Sequence, residues 1–188
     1  MIQTLKNKGY TVSSFATAAQ AAEYLNSVID GVSVGIGGSM TVEQMGLYDR
    51  LQSHNTVHWH WKGGDAALAA VADVYLSSVN ALSETGEIIN IDGIGNRVAS
   101  IFYGHKKVYL IVGKNKIAPD FESALHRARN VAAPLNAKRL NMATPCVKGG
   151  RCFDCQSPDR ICRELAVLWQ CPMKADIEIV LFDENLGY

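Results

Sequence analysis

The sequence lacks the features that mark membrane, secreted and nucleic-acid-binding proteins. No apolar run approaches the ~18 residues of a transmembrane helix, and the first residues contain neither the apolar core nor the cleavage site of a secretory signal. Lysine plus arginine number 18 and aspartate plus glutamate also number 18, so no net charge attracts nucleic acid. We therefore expect a cytoplasmic protein that binds neither a membrane nor nucleic acid.

Cysteine is absent from most of the chain, and all five cysteines fall within residues 146–171. A length of 188 residues suits one domain and a sizeable core. We therefore predict a single α/β domain over residues 1–188. Within it, residues 141–172 form a cysteine-rich metal-binding segment and residues 176–182 form the final strand.

The body of the chain alternates helix and strand patterns. Helix patterns cover residues 17–29, 42–53, 65–72, 97–103 and 120–131, the last interrupted or restarted at Pro134. Strand patterns cover residues 33–36, 74–80, 87–92, 107–112 and 176–182. Because several of these strands are apolar throughout, we predict an α/β fold with a mostly parallel sheet covered by helices on both faces. Ligands of such sheets bind beyond the carboxyl ends of the strands.

A glycine-rich loop follows the first of these strands. Gly37 and Gly38 allow a tight turn, Ser39 supplies a hydroxyl, and Thr41 with Gln44 fits a helix capping box. The loop predicts a seat for a phosphate or carboxylate at a helix start, although an ordinary strand-to-helix turn has the same pattern. No G-x-G-x-x-G motif or Walker lysine predicts a nucleotide.

Polar residues of both signs follow the next two strands. Asn80 and Glu84 come after the strand of residues 74–80, with Glu84 as a candidate general base. Asp92, Asn96 and Arg97 come after the strand of residues 87–92, and Arg97 is a candidate clamp for an anionic oxygen. The alternative is a hairpin-like turn at Glu84 followed by a loop that caps the next helix.

The segment His58-Trp59-His60-Trp61 predicts two imidazoles on one face of a strand and two indoles on the other. With no third metal ligand evident, a half-buried edge strand is the favoured interpretation. An exposed Trp59 or Trp61 is a candidate contact for a partner protein.

The cysteine spacing, Cys-x5-Cys-x2-Cys-x6-Cys-x8-Cys, includes one Cys-x2-Cys pair. Four thiolates suit an iron–sulfur cluster or a tetrahedral zinc ion, and the irregular spacing favours iron–sulfur, with a 4Fe-4S cluster first. The alternative is a set of free or disulfide-prone thiols. The compact set of ligands is Cys146, Cys152, Cys155 and Cys162, while Cys171 before Pro172 remains a substitute for one of them.

These segments together resemble the LUD family, the domain of lactate utilisation proteins, in its short branch with a cysteine-rich tail. The resemblance covers nearly the whole chain and is carried by residues 35–41, 80–99, 112–117, 133–140 and 186–188. It implies a fold like that of the glucosamine-phosphate isomerase, ribose-phosphate isomerase and CoA-transferase group. Those enzymes bind phosphorylated sugars or acyl-CoA at the same strand ends.

Three functions are compatible with this resemblance. The first is a redox-linked protein that binds a small anionic metabolite, such as a hydroxy acid, keto acid or phosphorylated compound, together with an iron–sulfur cluster. The second is an isomerase or CoA-transferase-like enzyme with a structural zinc ion and Glu84 as base or nucleophile. The third is a non-enzymatic subunit that docks to a partner oxidoreductase or electron carrier. Formation of a homo-oligomer is compatible with each of them.

Overall fold

A computed structural model describes residues 1–188 and contains two sheets packed between helices. The strands are Thr11–Phe15 (β1), Ser33–Ile36 (β2), Thr56–His58 (β3), Val74–Ser78 (β4), Ala81–Ser83 (β5), Ile88–Asp92 (β6), Lys107–Gly113 (β7), Ile117–Ala118 (β8), Glu164–Leu168 (β9) and Ile177–Phe182 (β10). The helices are Ile2–Asn7 (α1), Ala18–Val28 (α2), Met40–Gln44 (α3), Leu47–Leu51 (α4), Ala66–Ala70 (α5), Asn96–Phe102 (α6), Phe121–Arg127 (α7), Ala133–Arg139 (α8) and Pro145–Gly149 (α9).

The larger sheet has the strand order β1-β10-β7-β4-β2-β3, and every neighbouring pair is parallel. Its strands are apolar because both faces are covered. Helices α2, α3 and α4 pack on one face through residues such as Leu25, Val42 and Leu51. The other face packs against α1, α6 and the second sheet through residues such as Leu5 and Ile101. The predicted α/β fold, with a mostly parallel sheet covered on both faces, is confirmed.

The second sheet has the order β8-β5-β6-β9 and was not predicted. Strands β5 and β6 form an antiparallel hairpin that turns at Glu84 to Glu87, and β9 pairs antiparallel with β6. The strand pattern at residues 87–92 is therefore confirmed as a strand, but it belongs to this sheet. Because the hairpin folds back, Asp92 ends β6 close to the exit of β4 from the larger sheet, whereas the turn at Glu84 lies at the opposite end.

Two helix predictions differ from the structure for local reasons. The single helix predicted over residues 42–53 is wrong, because Gly46 adopts a φ of 63° and divides the segment into α3 and α4. At Pro134 the helical path does not break. Residues Ala128–Ala132 form a π-helical turn that leads directly into α8, and the proline lies in the first turn of α8, where its missing N–H is tolerated.

The connections that leave β2 and β4 run toward opposite edges of the larger sheet. The chain leaves β2 through α3 and α4 toward β3 on one side, and it leaves β4 through the second sheet and α6 toward β7 on the other. A crevice opens between diverging connections of this kind, beyond the carboxyl ends of the strands. None of the helices combines the length and the apolar composition needed to cross a membrane.

Candidate functional site

A cavity of about 530 Å³ occupies this crevice. Its walls come from the loops after β2, β4 and β6, from α8, and from the cysteine-rich segment of residues 141–172. The polar and charged lining includes Ser39, His60, Ser78, Asn80, Asp92, Asn96, Arg97, Lys116, Asn136, Arg139, Asp159, Arg160, Arg163 and Tyr188. We refer to this cavity as the cleft.

Six of the eight predicted substrate-binding residues line the cleft: Gly38, Ser39, Asn80, Asp92, Asn96 and Arg97. The other two lie just behind it. A Cβ on Gly37 would lie 3.1 Å from Arg97 Cγ and would also press on the Tyr75 hydroxyl, so Gly37 allows close packing beneath the cleft. Thr41 is fully buried, and its hydroxyl donates to the Leu186 carbonyl over 3.3 Å.

The capping box predicted at Thr41 and Gln44 is wrong. Ser39 is the N-cap of α3, and its hydroxyl accepts from the Val42 N–H over 3.3 Å. Gln44 instead accepts from the Gly187 N–H over 2.6 Å, which holds the C-terminal residues against the loop. Because α3 has five residues, its dipole is small, and the positive potential of the cleft comes from side chains.

The guanidinium of Arg97 is already engaged in hydrogen bonds within the protein. Its Nη1 donates to Asn90 Oδ1 over 2.6 Å, and its Nη2 donates to Asn80 Oδ1 over 3.1 Å and to the Ile91 carbonyl over 2.8 Å. Asp92 lies 3.6 Å from Nε, and burial lowers the pKa of the guanidinium. The group therefore fixes the loop after β4 to the end of β6, while its charge still contributes to the cleft.

Lys116 is a cleft residue that was not singled out from the sequence. It is 3% exposed, and its Nζ donates to Ser78 Oγ over 2.9 Å and to the Val79 carbonyl over 3.1 Å. No carboxylate pairs with it. Burial, reinforced by Arg127 and Arg97, lowers the pKa of Lys116 to about 7. Its sequence signal was its place directly after β7, another strand that ends at the same edge of the sheet.

Further cations and aromatic rings form the outer wall. The Arg139 guanidinium lies 4.5 Å from the centre of the Trp61 ring, which stacks on Trp59 at 5.3 Å. Burial and then Arg139 lower the pKa of His60. In total, six basic side chains line the cleft against two carboxylates, Asp92 and Asp159.

The predicted pairing of His58 and His60 on one strand face is wrong. Strand β3 ends at His58, and His60 begins a 3-10 turn that extends to Lys62. The edge position of β3 is confirmed. Trp59 is fully buried in the core, so the expectation of an exposed indole there is also wrong.

Glu84 is exposed in the hairpin turn between β5 and β6 and does not line the cleft. The hairpin alternative for this segment describes the structure, with Ser83 N–H donating to the Glu87 carbonyl over 2.9 Å. The position of Glu84 therefore provides no contact with a ligand in the cleft.

The predicted metal ligands Cys146, Cys152, Cys155 and Cys162 all line one small cavity beside α8. Cys171 lies elsewhere, with its thiol 3.6 Å from the Ala175 carbonyl. All five thiols are free, and no three cysteine, histidine or acidic side chains are arranged to hold one metal ion.

Polar groups surround these thiols. The Asp154 N–H donates to Cys152 Sγ over 3.3 Å, and the Thr144 hydroxyl lies 3.2 Å from Cys146 Sγ. Arg160 donates to the carbonyls of Cys155 and Cys162 over 2.8 and 2.9 Å. Ala133, Arg160 and Ile161 line both this cavity and the cleft, so the two sites share a wall.

The fold and the cleft define an α/β protein with a cationic pocket at the carboxyl edge of a parallel sheet. The model of the LUD domain matches residues 1–182, and the chain therefore belongs to the LUD family, as its motifs indicated. Among solved structures it is similar to a DUF162 family protein from Deinococcus radiodurans, with a TM-score of 0.54 and 13% identity over 96% of this chain and 92% of that chain. At this identity the likeness shows the fold alone. No curated protein matches the sequence.

Proposed function

We propose that this LUD-family protein binds a small anionic metabolite in the cleft and acts in a redox-linked, lactate-utilisation type of process in the cytoplasm. The observation that carries the proposal is the excess of cations in the cleft, at whose base Lys116 is buried without a carboxylate partner. In its protonated form Lys116 is a buried cation without a counter-charge, which is costly. A carboxylate or phosphate in the cleft offsets this cost and gains hydrogen bonds.

The dimensions of the cleft favour a metabolite over a macromolecule. A cavity of about 530 Å³ lies within the range of roughly 300–1,000 Å³ that small-molecule pockets occupy. Its polar base, with Ser78 and Lys116, and its aromatic wall at Trp61 suit a compact anion with a short carbon skeleton. Hydroxy acids, keto acids and phosphorylated compounds of that size all meet these requirements.

Thermal unfolding in the presence of anions tests this proposal. Inorganic phosphate and pyruvate are titrated against sodium chloride of equal ionic strength. A ligand at 100 times its Kd stabilises the folded state by about 2.7 kcal/mol, so a rise in Tm of several degrees that grows with the logarithm of ligand concentration is expected. Lys116→Met should lower the rise, because it removes a hydrogen-bond donor from the base of the site. Lys114→Met is the matched control, because Lys114 lies in the same turn but pairs with Asp183 over 3.1 Å. Equal responses of both variants to the anions would refute the assignment of the site.

We further propose that Cys146, Cys152, Cys155 and Cys162 hold an iron–sulfur cluster, with a single zinc ion as the competing occupant. Four thiols on one cavity, with backbone and side-chain donors directed at sulfur, are the donor set that such centres use. The thiol side chains must turn inward to share one centre. A cluster bound there would accept and donate single electrons next to the cleft.

Anaerobic purification followed by elemental analysis and absorption spectroscopy tests the second proposal. Iron and sulfide in equal amounts with absorbance near 400 nm are expected, and replacement of the four cysteines by serine should remove them. Cys171→Ser is the control that should keep them, because Cys171 lies outside the cavity. One zinc ion per chain without iron would show that the four cysteines hold a structural zinc ion and not a cluster. A preparation without any metal would refute both.

A further inference from the structure

Lys116 has a hydrogen-bonding arrangement that matches a neutral amine. A neutral lysine has two N–H groups and one lone pair on Nζ. The hydrogen bonds to Ser78 Oγ and to the Val79 carbonyl use two N–H groups. No third protein acceptor takes an N–H of Nζ, so the remaining position on the nitrogen is open to the cleft.

Five other lysines differ from Lys116 because they pair with carboxylates. Ion pairs with carboxylates at 2.6–3.3 Å involve Lys8, Lys62, Lys106, Lys107 and Lys114. Lys116 instead lies near Arg127 and Arg97, whose positive charges disfavour protonation of its amine. Lys116 is therefore the buried lysine whose amine borders the cleft without a counter-charge.

We propose that Lys116 forms a Schiff base with an anionic aldehyde or ketone bound in the cleft. This inference rests on the anion site proposed above and specifies its substrate class. The Nζ lone pair attacks the carbonyl carbon and forms a C–N bond. Both amine protons pass to the carbonyl oxygen, the C–O bond breaks, and one water molecule leaves as the C=N bond forms. No oxidant or reductant is consumed, and hydrolysis reverses the step.

The neighbouring groups suit this reaction. Ser78 Oγ lies 2.9 Å from Nζ and can relay a proton to the departing oxygen. The cations of the outer wall, such as Arg139 and Arg163, hold the carboxylate or phosphate of the substrate away from the amine. A pKa of about 7 leaves roughly half of the Lys116 amines neutral at pH 7. An ordinary lysine, with a pKa of about 10.4, is neutral in only about one molecule in 2,500.

Reductive trapping tests the proposal on the full chain. The protein is incubated at pH 7 with glyoxylate or pyruvate and sodium cyanoborohydride, which reduces an imine to a stable secondary amine. Peptide mass spectrometry then locates the adduct. With these anionic substrates we expect Lys116 to be labelled at an initial rate about tenfold or more above that of Lys114, because the cations of the cleft hold the substrate beside its amine. Acetaldehyde, which lacks the anionic group, should lose most of this preference.

Variants and pH provide the controls. Lys116→Arg should lose the fast label, and Lys114→Met should keep it. The rate at Lys116 in the unaltered protein should rise with pH and level off above about 7. This profile keeps the proposal testable if a Lys116 variant fails to fold. Labelling of Lys116 no faster than that of Lys114 would overturn the proposal.

The two proposals fail in distinguishable ways. If phosphate and pyruvate raise Tm but Lys116 is not trapped, the anion site stands and the Schiff base does not. If neither anion raises Tm and Lys116 reacts as fast with acetaldehyde as with glyoxylate, the cleft has no anion site and both proposals fail.

Discussion

Arg97 Nη1 donates a hydrogen bond of 2.6 Å to Asn90 Oδ1, and this contact joins helix α6 to the second sheet. The same guanidinium reaches Asn80 at the exit of β4 from the larger sheet. One side chain therefore holds together the two sheets at the point where they form the base of the cleft. The Asn-rich motif of residues 80–97 is in large part the set of acceptors that this arginine requires.

Replacement of Arg97 by lysine should destabilise the protein by about 2–4 kcal/mol. Lysine keeps the charge but offers one nitrogen, so several buried acceptors, among them Asn80 Oδ1 and the Ile91 carbonyl, lose their donors. Urea unfolding measures the change. Arg50→Lys is a suitable control, because Arg50 is exposed on α4 and should change stability by less than about 0.5 kcal/mol. A loss for Arg97→Lys no larger than that of the control would contradict the structural role.

Lys116 should make the stability of the unliganded protein rise with pH. Its pKa in the folded state is about 7, below the value of about 10.4 in an unfolded chain. Between these values the unfolded state binds one more proton, so the free energy of unfolding should increase by about 1.4 kcal/mol per pH unit from this residue. Below pH 7 both states are protonated and the contribution no longer changes.

Lys116→Met should remove this slope between pH 7 and 9, whatever its effect on absolute stability. Lys114→Met should retain it. Urea titrations at several pH values measure the difference between the two variants, in which other titrating groups cancel. Parallel pH profiles for both variants would show that the amine of Lys116 titrates as it does in solution.

Gly187→Ala should weaken anion binding more than it weakens the fold. Gly187 adopts a φ of 63°, and a Cβ there would collide with the Thr41 hydroxyl and lie 3.2 Å from Lys116 Nζ. Displacement of the C-terminal residues would remove Tyr188 from the wall of the cleft. Gly31→Ala is the matched control, since its φ is 65° and the space around it is open.

Both glycine variants carry the same backbone strain, of about 1 kcal/mol. The difference between the two variants in the anion-induced rise of Tm therefore measures the effect of the collision between the new Cβ at position 187 and Thr41. We expect Gly31→Ala to keep the full rise and Gly187→Ala to lose most of it. If both variants keep the rise, the C-terminal residues are not part of the anion site.

The sequence predicted the larger sheet well because its strands carry their own evidence. Residues 33–36 and 107–112 are apolar runs bounded by glycine or charge, and the structure has strands at Ser33–Ile36 and Lys107–Gly113. The sequence did not predict which strands pair with each other. Residues 87–92 have the same apolar character, yet β6 pairs antiparallel in a second sheet, because hydrophobicity reports burial and not the neighbouring strand.

The candidate site was predicted in location but only partly in chemistry. The strand-end rule placed Gly38, Asn80 and Arg97 at one edge of the sheet, and they do line one cavity. Whether an arginine is free or fully engaged depends on acceptors from distant elements, which a sequence pattern does not contain. Lys116 was missed for the same reason. Its properties arise from burial and from two arginines brought near it by folding.

Ala133, Arg160 and Ile161 line both the cleft and the cavity of the four thiols. Arg160 holds the carbonyls of two of those cysteines, so its position depends on how the thiol loop is arranged. Thermodynamic reciprocity then connects the two cavities. If a ligand in one cavity changes the affinity of the other, the reverse influence has the same magnitude, so an occupant of the thiol cavity would change the affinities measured in the cleft.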